Sequence, residues 1–416
     1  MKELELKSKN VLWNIIGATA NAFTSLAFVM IVTFINGTDN AGIFSYGFAT
    51  AVVLFCVANY ITRPYQVTDI SGRYSDSDYI YVRVATCLSA TIAAILFCVV
   101  RQYDAYKSAI IILLCVYRIT EAFIETFYAI LQKRDLLYKA GFSMFVRAVL
   151  GVAAFFLFDM LTKNLVFASA MLVVVNVFCF FAYDLPNTRK CEVEKSKVSA
   201  KVVKCILRAG FFNFVLTALN SLIINISRYA IDEYETNVVQ AIFGYIIMPA
   251  TFMNLFGQYI VQPVLTTLSQ GLKDKNYVLI TGVIKKTTSI LLIGGAIVFA
   301  VAYFVEVPVL SILFGLDFSP YKTEMMIIIF GSVLYALEVI ISFILISFRN
   351  TAIQAAIFSA TSVLSAVFSF VQVKTNGLLG AAATYALSMF VLALALAVVL
   401  VRQLLVYKKE WGVEEK

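Results

Sequence analysis

Apolar runs of about 20 residues, long enough to cross the hydrocarbon of a bilayer as a helix, follow one another along nearly the whole chain. Short polar segments separate them. Twelve such runs can be placed, at 11–35, 41–61, 82–100, 108–131, 141–158, 164–183, 205–229, 237–262, 287–305, 324–348, 353–373 and 377–401. The pattern predicts an all-α integral membrane protein of twelve transmembrane helices. The first run holds Asn14, Asn21 and Thr24 and lacks a small-residue cleavage site, so it reads as a retained helix and not a signal peptide. No polar stretch is long enough to form a soluble domain.

The pattern also repeats. A shift of 199 residues brings Asn14 onto Asn213, Asn21 onto Asn220, Ile43-Phe44 and Tyr46 onto Ile242-Phe243 and Tyr245, and Ala51 onto Ala250. It continues with Tyr60-Ile61 on Tyr259-Ile260, Pro64 on Pro263, Thr68 on Thr267 and Gly72 on Gly271. Asn, Pro, Gly and Tyr are not residues that hydrophobic coincidence would match, so the chain reads as a duplication. Six spans per copy, an even number, means that both copies enter the membrane in the same direction. The expected architecture is two six-helix lobes related by a pseudo-two-fold along the membrane normal, as in transporters that move two lobes about a central site. The lobes are expected at 1–184 and 205–416, joined by a basic linker at 185–204.

Composition supports the membrane reading: 61% hydrophobic residues, 14% charged, and a mean hydropathy of +0.87. Charge supplies orientation. The segments on one side of the spans, the two termini included, hold 24 Lys and Arg, and those on the other side hold 6. The asymmetry puts both termini in the cytoplasm. The net charge of +8 is then a topology and lipid-headgroup signal, with no call for nucleic acid. The seven cysteines form no CxxC pair and there is no histidine, which argues against zinc, haem and His-based acid–base chemistry. No GxxxxGK[ST] loop is present, and no cofactor or metal is expected.

Polar residues inside spans carry the remaining information. Asn14, Asn21 and Ser25 share a helical face in the first span, and Asn213, Thr217, Asn220 and Ser227 do so in the seventh. Such a stripe either joins helices or lines a wet cavity. Ionised residues within the bilayer are costly and informative. Arg118, Glu121 and Glu125 fall on one face of the fourth span, Arg147 lies in the fifth, and Glu338 lies in the tenth. Glu125 and Arg147 are equally far from the turn near residue 136, so a helical hairpin would bring them to one depth, able to pair. Two readings stand side by side: a self-neutralising structural cluster, or a partly cationic cavity whose arginines meet an anionic substrate while carboxylates bind a coupling ion.

The run from Glu121 to Ser143, EAFIETFYAILQKRDLLYKAGFS, resembles the fourth-to-fifth helix segment of bacterial polysaccharide flippases of the Wzx type. Asn225-Ile226-Ser227-Arg228-Tyr229 followed by Ile242-Phe243-Gly244-Tyr245 is similar to that family's Asn-x-Pro-Arg-Tyr and Gly-x-Phe-Gly elements, with Ser227 in the Pro position and Ala241 in the first Gly position. Arg63 with Tyr65-Gln66 and Asp69 resembles its loop after the second helix. The resemblance implies membership of the multidrug/oligosaccharidyl-lipid/polysaccharide exporter superfamily. It implies a secondary transporter of the bacterial inner membrane, not an enzyme, which moves undecaprenyl-pyrophosphate-linked oligosaccharide by alternating access coupled to H+ or Na+. Membrane lipids, a polysaccharide polymerase and chain-length machinery are the partners it implies.

On that reading Arg63, Arg118, Arg147 and Arg228 supply the cationic cavity, because guanidinium forks match phosphate oxygens. Asn14, Asn21, Asn213 and Asn220 line it, and Glu121, Glu125 and Glu338 are the candidates for ion coupling. Two rivals remain: a membrane polysaccharide polymerase or ligase, which would carry a large external loop, and a cationic-drug exporter of the same superfamily, whose cavity should be acidic.

Overall fold

The computed structural model describes residues 2–69, 73–191, 193–194, 196, 199–261, 264–348 and 350–411. These form helices and short connections, with no strand among them. They divide into two compact units, Met1–Ser221 and Leu222–Lys416.

The first unit opens with α1 (Lys2–Ala58), long enough for two passes, which breaks at Gly37. The φ of 82° and ψ of 171° there belong to a region that only glycine occupies without strain. After α1 come α2 (Arg63–Thr68), α3 (Asp76–Val100), α4 (Ala105–Lys133) and α5 (Leu137–Thr162). Next is α6 (Leu165–Cys179), which runs through a π-helical turn at Phe180–Asp184 into the short α7 (Leu185–Arg189). Local chemistry sets the starts. Ser75 and Asp78 form a reciprocal capping box on α3, Asp104 caps α4, and Asn164 caps α6. Helices α1 and α5 cross where two glycines meet: a Cβ on Gly17 would lie 2.2 Å from the Gly141 carbonyl oxygen. Below the crossing, Phe28, Phe44, Tyr117 and Phe155 pack as mutually tilted rings.

The unit boundary falls inside α8 (Ala200–Tyr234), whose first part packs on the first unit. Tyr60 stacks on Phe214 with centroids 4.4 Å apart and donates its hydroxyl to the Leu207 carbonyl at 2.9 Å.

The second unit continues with α9 (Asn237–Ile246), α10 (Met248–Val261), α11 (Val264–Lys273), α12 (Tyr277–Phe314), α13 (Lys322–Ser347) and α14 (Thr351–Glu410). The last is broken at Gly377 (φ 52°, ψ −129°) and so also supplies two passes. Among the described residues each copy thus has six passes, twelve in all, although α4 carries five charged side chains and α9 with α10 is interrupted at Ile247, just before Pro249.

The backbone breaks confirm the duplication. Gly37 lies 199 residues before Thr236, where the chain leaves α8 to begin α9. Lys163, the left-handed end of α5, lies 214 residues before Gly377. The longer offset arises because α12 has 38 residues where its counterpart α3 has 25. Gly72 and Pro263, two of the matched positions, lie outside the described residues. The same extension corrects the end of the ninth span, expected at 305: helix continues to Phe314, because Val307, Val309, Leu310 and Ile312–Phe314 are apolar and Pro308 is accommodated within it.

Large apolar side chains point away from the packed helices. Phe304 is 74% and Ile312 80% exposed. In water such surfaces would drive aggregation; in lipid they are the solvent-facing surface of the protein.

Candidate functional site

The polar interior of the first unit is organised by α4, whose apolar stripe is interrupted at i, i+3 and i+7 by Arg118, Glu121 and Glu125. Arg118 forms an ion pair with Glu121 on its own helix, and its guanidinium lies over the Phe55 ring at 4.8 Å and Phe48 at 5.8 Å. Glu125 is paired with Arg63 of α2 at 3.6 Å. This corrects the expected pairing of Glu125 with Arg147. Equal depth in a hairpin fixes height but not azimuth, and α2 brings a competing cation onto the face that Glu125 presents.

Arg147 of α5 instead lies over the Tyr128 ring, 5.4 Å from its centroid, and Tyr128 shares a 2.9 Å hydrogen bond with Ser143. The carboxylates whose charge reaches Arg147 are Glu121 and Asp184. Asp184 is fully buried and is set by the π-helical turn between α6 and α7. Such turns insert an extra residue and re-aim the side chains around them. Neither oxygen of Asp184 and neither Nε nor Nη1 of Arg147 has a hydrogen-bond partner among the described residues. The charges are near each other without a closed ion pair.

Arg83 completes the cluster. It is buried, and it donates from Nε to Thr126 Oγ1 at 2.8 Å, from Nη1 to the Ala58 carbonyl at 2.7 Å, and from Nη2 to the Ile61 carbonyl. Thr86 adds a 2.8 Å bond to the same Ala58 oxygen, and Gln66 Nε2 reaches the Thr126 carbonyl at 3.3 Å. A cation thus caps the carbonyl end of α1, where backbone acceptors and the helix dipole favour positive charge. The apolar runs put Arg83 at the very start of the third span and ended the sixth at 183, so neither Arg83 nor Asp184 was singled out. Four arginines (63, 83, 118 and 147) and three carboxylates (121, 125 and 184) therefore share one interior.

The four asparagines of the stripe have differing surroundings. Asn14 Oδ1 and Asn220 Oδ1 are buried without a partner among the described residues. Asn213 Nδ2 contacts Thr62 Oγ1 at 3.4 Å, and the Asn21 carbonyl accepts from Thr24 at 2.7 Å. All four asparagines lie in the first unit. Two further expected residues lie in the second. Arg228 is buried with its guanidinium 5.5 Å from the centre of the Phe243 ring, beside Ser227, whose hydroxyl donates to the Ala381 carbonyl at 3.3 Å. Glu338 is 1% exposed on α13, its Oε2 without a hydrogen-bond partner among the described residues. Glu306 of α12, one residue past the expected end of the ninth span, is buried with both oxygens in the same condition. Among the described residues no three His, Cys, Asp or Glu side chains gather as a metal site.

No family model matches the chain. A curated relative, the capsular polysaccharide biosynthesis protein CapF of Staphylococcus aureus, is 22% identical over 388 residues, covering 92% of this chain and 96% of that protein. Among solved structures, an inward-facing multidrug resistance MATE family transporter of the MOP superfamily superposes with a TM-score of 0.70 at 13% identity, covering 95% of this chain and 99% of that one. The lipid II flippase MurJ in an inward closed conformation gives a TM-score of 0.62 at 13% identity over 99% and 91%. The chain is a multi-pass membrane protein with the transporter fold that these proteins share, and the expected resemblance to the exporter superfamily holds at the level of fold.

Proposed function

We propose that this protein is a flippase that carries undecaprenyl-pyrophosphate-linked oligosaccharide across the bacterial inner membrane by ion-coupled alternating access of its two lobes. The observation that carries the reading is the arginine-rich interior of the first unit, in a chain similar along nearly all its length to a capsular polysaccharide biosynthesis protein. A pyrophosphate entering a low-dielectric slab loses its hydration, and fixed guanidinium groups offset that loss with charge-assisted, bidentate hydrogen bonds. Arg118 and Arg147 are the principal contacts, with Arg63 at the cytoplasmic mouth and Arg228 at the outer one. The asparagines at 14, 21, 213 and 220 offer the sugars the donors and acceptors they need.

Coupling follows from the pairing. Glu121 and Glu125 each hold an arginine. A proton on either carboxylate releases its arginine for phosphate, and loss of that proton restores the pair and expels the ligand. Glu338 supplies a third acid. Na+ serves the same logic if it neutralises the carboxylate in place of a proton.

The test is complementation of a flippase-null strain with Arg118→Ala, Arg147→Ala and Arg147→Lys, membrane levels being equalised. Export should be abolished by the Ala variants and weakened by Lys, which keeps charge but loses the fork. Full-length polysaccharide at wild-type rates from well-inserted Ala variants would overturn the cationic-cavity mechanism. Uptake of an organic cation by vesicles, with no flipping of lipid-linked sugar, would favour the drug-exporter reading instead.

A further inference from the structure

The close approach of α8 to the end of α1 leaves a groove on the first unit that the transport reading does not use. Gly210 permits that approach: a Cβ there would stand 2.3 Å from Ile61 Cδ1. Beside this contact Tyr60, Tyr81, Leu207, Phe211 and Phe212 line an open space of about 920 Å3. Lys204 and Arg208 line it as well. They are four residues apart on α8 and so project on the same face, one turn from each other. Among the described residues neither is held in an ion pair, and both are exposed. Arg208 is eight residues into α8, roughly 12 Å along the axis from its start. By the Lys and Arg asymmetry, this is the cytoplasmic headgroup level.

We infer that this groove is a binding site for an anionic glycerophospholipid of the cytoplasmic leaflet. The phosphate sits between Lys204 and Arg208 and an acyl chain lies along Leu207, Phe211 and Tyr81. Charge complementarity selects the ligand class: two cations at headgroup depth attract an anionic lipid, worth about fivefold in affinity for each. The lining selects against the glycosylated substrate. Tyr60 and Tyr81 bear the hydroxyls, and that of Tyr60 is committed to the Leu207 carbonyl at 2.9 Å. A sugar chain would find almost nothing to bond. The site is open to the membrane, with Tyr81 59% and Phe211 48% exposed, as a lipid that exchanges laterally requires. The bound lipid bridges α3 and α8, and so braces the start of α8 against the first unit.

The experiment is native mass spectrometry of the full-length protein released from detergent. Equal amounts of phosphatidylglycerol and phosphatidylcholine are added, and, in a separate arm, undecaprenyl pyrophosphate. The wild type should retain phosphatidylglycerol in preference, Lys204→Gln and Arg208→Gln should each reduce that retention about fivefold, and Lys204→Arg, which keeps the charge, should match the wild type. Because both positions are exposed, the Gln variants should remain monodisperse with an unchanged melting temperature in lipid-free detergent. Equal retention of the two phospholipids, or retention unaltered in the double Gln variant, overturns the assignment. Displacement of phosphatidylglycerol by undecaprenyl pyrophosphate at equimolar concentration also overturns it, since the groove would then belong to the transport substrate.

Discussion

Arg83 shows how one side chain can hold several elements. From α3 it satisfies the Ala58 carbonyl at the end of α1, the Ile61 carbonyl just beyond it and one hydroxyl on α4. Arg83→Met should therefore leave the Ala58 and Ile61 carbonyls without their donor and lower stability by about 2 kcal/mol or more, read as the loss of melting temperature in detergent. A variant as stable as the wild type would show that water replaces the guanidinium. Arg147 and Asp184 invite a different test, because they sit near each other without closing a bond. If each only neutralises the other, Arg147→Met with Asp184→Asn should restore the stability that either change alone removes, by about 1–3 kcal/mol. On the transport reading the double variant is stable but silent in complementation, and recovery of export along with stability would reduce the pair to a structural one. At this scale the sequence was partly legible. The spacing of Arg118 and Glu121 announces their contact, since residues three apart meet on any helix. The partner of Glu125 was not legible, because depth says nothing about which way a side chain faces. Asp184 was hidden because the extra residue of a π-helical turn leaves no trace in hydropathy.

Elements were more legible than contacts. All twelve passes could be read from apolar length, yet the ends moved wherever helix continued beyond the hydrocarbon, as in α12, or where a single glycine separated two passes within one continuous helical run, as in α1 and α14. Gly377, like Gly37, holds a backbone conformation, φ 52° with ψ −129°, that suits no L side chain. Gly377→Ala should cost about 1–3 kcal/mol in strain, whereas an alanine at Gly282, where nothing lies within 4 Å of a built Cβ, should be neutral or slightly stabilising. Comparison of their melting temperatures checks the pair of expectations. The α1–α5 crossing is stricter. A Cβ on Gly141 would stand 2.3 Å from the Trp13 backbone, so no rotamer relieves the clash and the helices must separate. Gly141→Val should lower stability by at least the 1–3 kcal/mol typical of overpacking, and it should loosen the Trp13–Phe142 edge contact, now 5.2 Å between centroids, which tryptophan fluorescence reports.

For the molecule as a transporter, the decisive question is whether the internal ion pairs are a cycle or a frame. In the proposed cycle a carboxylate and a phosphate compete for the same guanidinium. Glu121→Gln removes the competitor while keeping shape and a hydrogen-bonding group, so Arg118 is left permanently available. Binding of the lipid-linked pyrophosphate should then tighten, by about tenfold for a coupling of typical size, while net flipping falls at least as far because nothing expels the ligand. Glu125→Gln should act in the same direction through Arg63. The measurements are equilibrium binding of a fluorescent lipid-linked saccharide to purified protein, and its flipping in proteoliposomes with and without an imposed proton gradient. A structural frame predicts the opposite combination: weaker binding and flipping in proportion to lost stability, with the gradient response intact. Tighter binding joined to slower, gradient-insensitive flipping is therefore the signature of the cycle. If both variants flip the lipid at wild-type rates and keep their gradient response, coupling through these two pairs is wrong, and the buried Glu338 of the second unit becomes the acid to test next.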